Sequence, residues 1–173
     1  MDKTKKFHMN FTKNMEIPFF QVSPQLRVRF GVELFDNGKL SLLKDILSET
    51  LDHPQEINVT FISGYIKNDR RYREKTNIGK YIKIKNWSET ITYHDEIDAN
   101  VIFTTIKNIR FEEVYQYIKS VVKGMRSSYI VIYNENYLVY ISEDVIDFIS
   151  YDQNLIQNLK NHYQGLYDTY YEK

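Results

Sequence analysis

Residues 110–170 restrict the fold more than any other stretch, because they read as helix, strand, turn, strand, helix. Phe111, Val114, Tyr115, Ile118, Val121, Val122 and Met125 recur at steps of three and four, which keeps one face of a helix apolar. Glu112 and Glu113 open that helix, and Lys119, Lys123 and Arg126 lie toward its end, an order that suits the helix dipole. Gly124 and Ser127-Ser128 mark the exit. Tyr129-Ile130-Val131-Ile132-Tyr133 and Tyr137-Leu138-Val139-Tyr140-Ile141 flank Asn134-Glu135-Asn136, which is a hairpin pattern. Asp152 is placed to cap a last helix, with Leu155, Ile156, Leu159, Tyr163, Leu166, Tyr167 and Tyr170 on one face. Gly165 weakens that helix by about 1 kcal/mol relative to Ala. A lone hairpin is marginal in water, so the helices or further strands must cover it.

Upstream, Leu26, Val28, Phe30, Val32 and Leu34 alternate with Arg27, Arg29 and Glu33. The pattern predicts a half-buried strand with the charged residues outward. Asp36-Asn37-Gly38 is a turn, and Leu40, Leu43, Ile46, Leu47 and Leu51 give a short amphipathic helix ending before His53-Pro54. Residues 57–63 and 99–105 read as strands, and 81–84 and 90–93 are candidate strands around Trp87. Without a strict strand-helix repeat, these elements predict an α+β fold: a mostly antiparallel sheet with helices packed on one face, including a C-terminal helix. Residues 1–13 are expected to be a flexible basic N-terminus, and 14–173 a single α+β domain. A split into two lobes near residues 67–80 is the alternative.

Composition excludes several function classes. With no cysteine, there is no disulfide, thiolate metal site or cysteine nucleophile. Twenty-three basic residues balance 23 acidic ones, which argues against a globally basic nucleic-acid surface. No apolar run approaches the ~18 residues of a membrane span. The basic N-terminus lacks the apolar core of a signal peptide, so a cytoplasmic location is expected. The 15 Tyr and 10 Phe accompany many Asn, Lys and Ile, a usage that matches AT-rich codons of a low-GC genome. Most of these rings fall at apolar positions of the patterns above and read as packing rather than a stacking platform.

Ile17-Pro18-Phe19-Phe20 followed by Leu26-Arg27-Val28-Arg29-Phe30-Gly31 resembles the N-terminal block of the bacterial DUF3885 family. Val139-Tyr140-Ile141, Ser142-Glu143-Asp144, Ile146-Asp147-Phe148-Ile149 and the Tyr-rich residues 159–171 resemble its C-terminal block. Where that family continues its acidic turn through Arg-Gly, this chain has Val145 and no Gly. The family has no assigned activity. The resemblance implies only that such small low-GC proteins, bacterial or phage, often sit among toxin-immunity genes.

Three clusters carry potential chemistry. His94, Glu96 and Asp98 would project from one face of a strand as a divalent-metal set, although a hydrophilic loop is the simpler reading. Glu143, Asp144 and Asp147 form an acidic group fit for acid-base work if one were buried, or for meeting a basic partner; a solvated turn is the simpler reading. Arg70, Arg71 and Arg73 with Tyr72 and Lys75 could grip phosphates or acidic groups, although Asp69 and Glu74 dilute the patch. There is no Gly-x-Ser-x-Gly, no phosphate loop and no His-Glu-x-x-His.

The expectation is therefore a non-catalytic protein that binds another protein without a cofactor, in the manner of an immunity protein or an inhibitor. Its contact residues are expected among Arg70, Arg71, Tyr72, Arg73, Trp87, Glu143, Asp144 and Asp147. The alternatives are a metal-assisted hydrolase centred on His94, Glu96 and Asp98, and a nucleic-acid module using the arginine loop.

Overall fold

The computed structural model describes every residue except 1, 2, 8, 37, 53 and 55. Its strands are β1 (Arg27–Gly31), β2 (Ile57–Lys67), β3 (Arg70–Arg73), β4 (Trp87–His94), β5 (Ala99–Ile109), β6 (Ile130–Tyr133), β7 (Leu138–Ile141) and β8 (Val145–Ile149). The helices are α1 (Leu40–Leu51), α2 (Phe111–Val122) and α3 (Gln153–His162). The strands form one antiparallel sheet in the order β1-β8-β7-β6-β2-β5-β4, and β3 pairs with the second half of β2.

The expected α+β class, with an antiparallel sheet and a C-terminal helix, is what the chain adopts. Alternation along the strands sorts residues onto two faces. Val28 and Phe30 of β1, Ile146 and Phe148 of β8, Val139 and Ile141 of β7, and Val59 and Phe61 of β2 bury one face. Leu43 and Leu47 of α1, Val114 and Ile118 of α2, and Ile156 and Leu159 of α3 cover it. Asp152 caps α3 by accepting from the Asn154 backbone N–H. Glu113 caps α2 from inside the first turn: Oε2 accepts from the Arg110 N–H and Oε1 from the Lys83 N–H, each at 3.0 Å.

The opposite face is also closed, and here several sequence expectations fail. Within the stretch expected to be a loose arm, residues 3–7 and 9–11 pack on the sheet. Lys3–Phe7 is a 3-10 turn, and Phe7, Met9 and Phe11 lie against Ile62, Val101, Phe103, Val131 and Tyr140. Phe11 stacks on Tyr129 at 4.5 Å and meets Phe103 edge-on at 5.7 Å. The basic residues around these rings masked an apolar strap.

Arg27 and Arg29 are not outward. They are 8% and 7% exposed, because the strand stops at Gly31 and its second face lies under Phe19 and the chain's last residues. Val32–Phe35 turns into a 3-10 segment instead of continuing the strand. Helix α3 ends at His162, and Gly165 then adopts φ 79 as the tail returns to β1, where the Asp168 N–H donates to the Arg29 carbonyl. Residues 81–84 form no strand: Ile78–Lys80 is a short 3-10 turn and Ile82 packs in the core. β8 was hidden from the sequence because Asp147 interrupts its apolar pattern.

Candidate functional site

Among the described residues, β4 is an open edge of the sheet. Seven of its eight residues are exposed or half-buried, and its one neighbour is β5. The Lys107 N–H donates to the Asn86 carbonyl just before the strand. Antiparallel pairs alternate, so even-numbered residues turn their backbone groups to β5 and odd-numbered residues turn theirs to the open side. Trp87, Glu89, Ile91 and Tyr93 therefore combine a free backbone edge with side chains on one face. Trp87, Ile91 and Tyr93 are 56%, 51% and 55% exposed, a row of large apolar side chains that a monomer normally avoids on an edge.

β3 supplies the charge beside this row. Arg71 reaches across the sheet to ion-pair with Glu89. The close β2–β3 approach needs a glycine: a Cβ on Gly64 would collide with the Tyr72 carbonyl oxygen. Arg70 and Arg73 are exposed along the same strand. Tyr72 is opposite Tyr65, which packs on the other sheet face, so Tyr72 belongs to that other face. The structure thus brings Arg71 and Trp87 into one surface and adds Glu89, Ile91 and Tyr93, which sequence reasoning missed. The outward alternation of Trp87, Ile91 and Tyr93 was the available signal, but alternation alone does not say which face is covered.

The acidic group does not exist as a unit. Glu143 and Asp144 are exposed in the β7–β8 turn, and Glu143 accepts from the Ser127 N–H and Oγ at 3.1 and 3.0 Å. Asp147 is fully buried and accepts two hydrogen bonds from Arg29, so it cannot serve an exposed patch. Burial raises its carboxyl, and the Arg29 guanidinium opposes that rise.

The expected metal set is also dispersed. His94 ends β4 and points to the strap side, where Nε2 lies 2.9 Å from the Thr12 carbonyl and the ring packs near Phe103. Glu96 sits in the Asp95–Ile97 3-10 turn, and Asp98 at φ 47 accepts from the Tyr93 hydroxyl at 2.7 Å. That hydrogen bond to a carboxylate raises the Tyr93 phenol. The strand breaks after His94, so the three side chains never share its face. No three acidic or histidine residues among those described are grouped to hold a metal. His8 and His53 lie outside the described residues.

No family model, curated protein or solved structure matches this chain. No helix among the described residues is long and apolar enough to cross a membrane.

Proposed function

We propose that this chain is a non-catalytic protein-binding protein that docks its partner along β4. The observation that carries the reading is the coincidence of Trp87, Ile91 and Tyr93 with an unpaired strand edge. A partner strand added there would gain backbone hydrogen bonds from the odd-numbered residues, and the apolar row would select its side chains. Aromatic anchors of this kind supply most of the energy of small interfaces. Arg71 neutralises Glu89, the one charge in the row, so an apolar strand meets no unpaired carboxylate. An inhibitor or immunity role fits this chemistry, since occupying a partner's surface requires no catalysis.

The test compares tagged wild-type chain with Ile91→Lys and with Glu143→Gln in capture from the native host at low and high salt. The expected result is one stoichiometric protein that survives high salt, is lost with Ile91→Lys and is retained with Glu143→Gln. A partner captured equally by Ile91→Lys, or no partner at all, would remove the reading.

A further inference from the structure

On the other side of β4, away from the apolar row, the sheet carries a polar pocket of about 340 Å³. That volume is within the range of small-molecule sites. Its floor is a band in which an otherwise apolar face turns to hydroxyl and amide groups. Thr60 of β2, Thr105 of β5 and Ser88 of β4 lie directly in register across three strands. Thr60 Oγ1 is 2.8 Å from Thr105 Oγ1 and 3.1 Å from the Tyr133 hydroxyl. One strand step away on this face, Ile62 and Phe103 join the strap's core. Threonine in place of valine keeps the strand but buries a hydroxyl, a cost that packing alone does not recover.

Two further features mark the pocket as built. Asn58 is 3% exposed, lines the pocket, and its Oδ1 has no hydrogen-bond donor. Buried acceptors of this kind are rare and call for a missing donor. The β2–β5 register shifts between Ile57 and Val59, beside Asn58, and Asn108 adopts φ 55 opposite. Bulges of this type re-aim side chains next to binding sites.

The lining sets the ligand's chemistry. Among the described residues it contains Lys107 and Lys3 and no carboxylate, so a cation finds no counter-charge there. Lys3 contacts Glu56 at 3.5 Å, which leaves Lys107 as the positive group without an acidic partner among the described residues. The hydroxyl row can donate to and accept from a polyol, and Asn58 Oδ1 accepts from a ligand hydroxyl. We infer that this pocket binds a small polyol bearing one anionic group, with the anion at Lys107 and the hydroxyls along the Thr60, Thr105 and Ser88 row.

Titration calorimetry on the full chain with glucose 6-phosphate, gluconate, glucose and inorganic phosphate tests this. Lys107→Ala and Ser88→Ala alter exposed lining residues, and Lys44→Ala is a control outside the pocket. At least one hydroxylated anion should bind with a Kd of about 1 mM or tighter. Lys107→Ala and Ser88→Ala should each weaken it about tenfold, the order of one hydrogen bond to the ligand. Lys44→Ala should leave it unchanged. A preference between glucose 6-phosphate and gluconate identifies the anion as phosphate ester or carboxylate. Glucose binding as tightly as the anions would overturn the charge assignment, and inorganic phosphate matching the ester would overturn the polyol. No binding by about 10 mM, or binding indifferent to both pocket variants, would overturn the site.

Discussion

Arg29 and Asp147 are direct partners across β1 and β8, and the guanidinium donates to both carboxylate oxygens at 2.6 and 2.8 Å with neither side chain in water. The same guanidinium lies 4.0 Å from the centroid of the Phe19 ring, which roofs the pair. Removing one partner of a buried pair strands the other charge, so Asp147→Asn should cost about 3–5 kcal/mol in urea unfolding. Replacing both, as Arg29→Met with Asp147→Leu, should cost clearly less than the two single changes together. Additive losses would show that the two residues are not coupled.

The strap over the second face makes an equally direct prediction. Phe11→Ala should lower stability by about 3–5 kcal/mol, because it empties a fully buried ring site. Protease should cut the variant near its N-terminus before the wild type. An unchanged unfolding midpoint would return residues 3–13 to the status of a loose arm.

Trp87 is the only tryptophan and reports on the β4 edge without a label. At 56% exposure its emission should be red-shifted and readily quenched by iodide in the free chain. Partner docking on β4 should shift the emission to the blue and protect it. Trp87→Ala should change stability by no more than about 0.5 kcal/mol, as exposed positions do. A shielded Trp87 in the free chain would contradict the open edge.

Glu113 gives a pH signature. Burial alone would raise its carboxyl, but the Lys83 and Arg110 backbone N–H groups and the Arg110 charge outweigh burial and hold it below the ordinary carboxylate range. A depressed carboxyl contributes stability above the value it has in the unfolded chain. That contribution fades as pH falls through its folded value. Glu113→Gln should therefore be less stable than wild type at neutral pH, and the gap should narrow in acid. A gap that stays constant from neutral pH into acid would show that Glu113 acts through neutral hydrogen bonds alone.

The elements with strong periodicity were legible. The α1 and α2 spacings, the hairpin around Asn134 and the Asp152 cap each rest on local chemistry, and all are present. What the sequence hid depends on which surfaces meet. Arg27 and Arg29 alternate like outward residues and are buried because residues far along the chain cover them. Asp147 reads as a solvated acid until Arg29 is placed opposite. Glu143 and Asp147 lie four residues apart, yet one is in solvent and the other in the core. At the candidate site Trp87 and Arg71 were named in advance, whereas Glu89, Ile91 and Tyr93 joined them only once β4 proved to be an edge. Asn58, Thr60 and Thr105 read as ordinary strand residues, and only the register lines them up across the sheet.

The position of β1 has a consequence for how the sheet assembles. β1 is the first strand of this sheet in chain order, yet its one strand neighbour, β8, is the last, and Arg29 is separated from Asp147 by 118 residues. Until β8 is available, a two-arginine strand has no strand to pair with. Charge keeps that orphan segment from pairing with the wrong neighbour, and the same charge is neutralised only when the final strand arrives. A chain truncated before β8 should therefore leave β1 without its strand neighbour and Arg29 without its carboxylate.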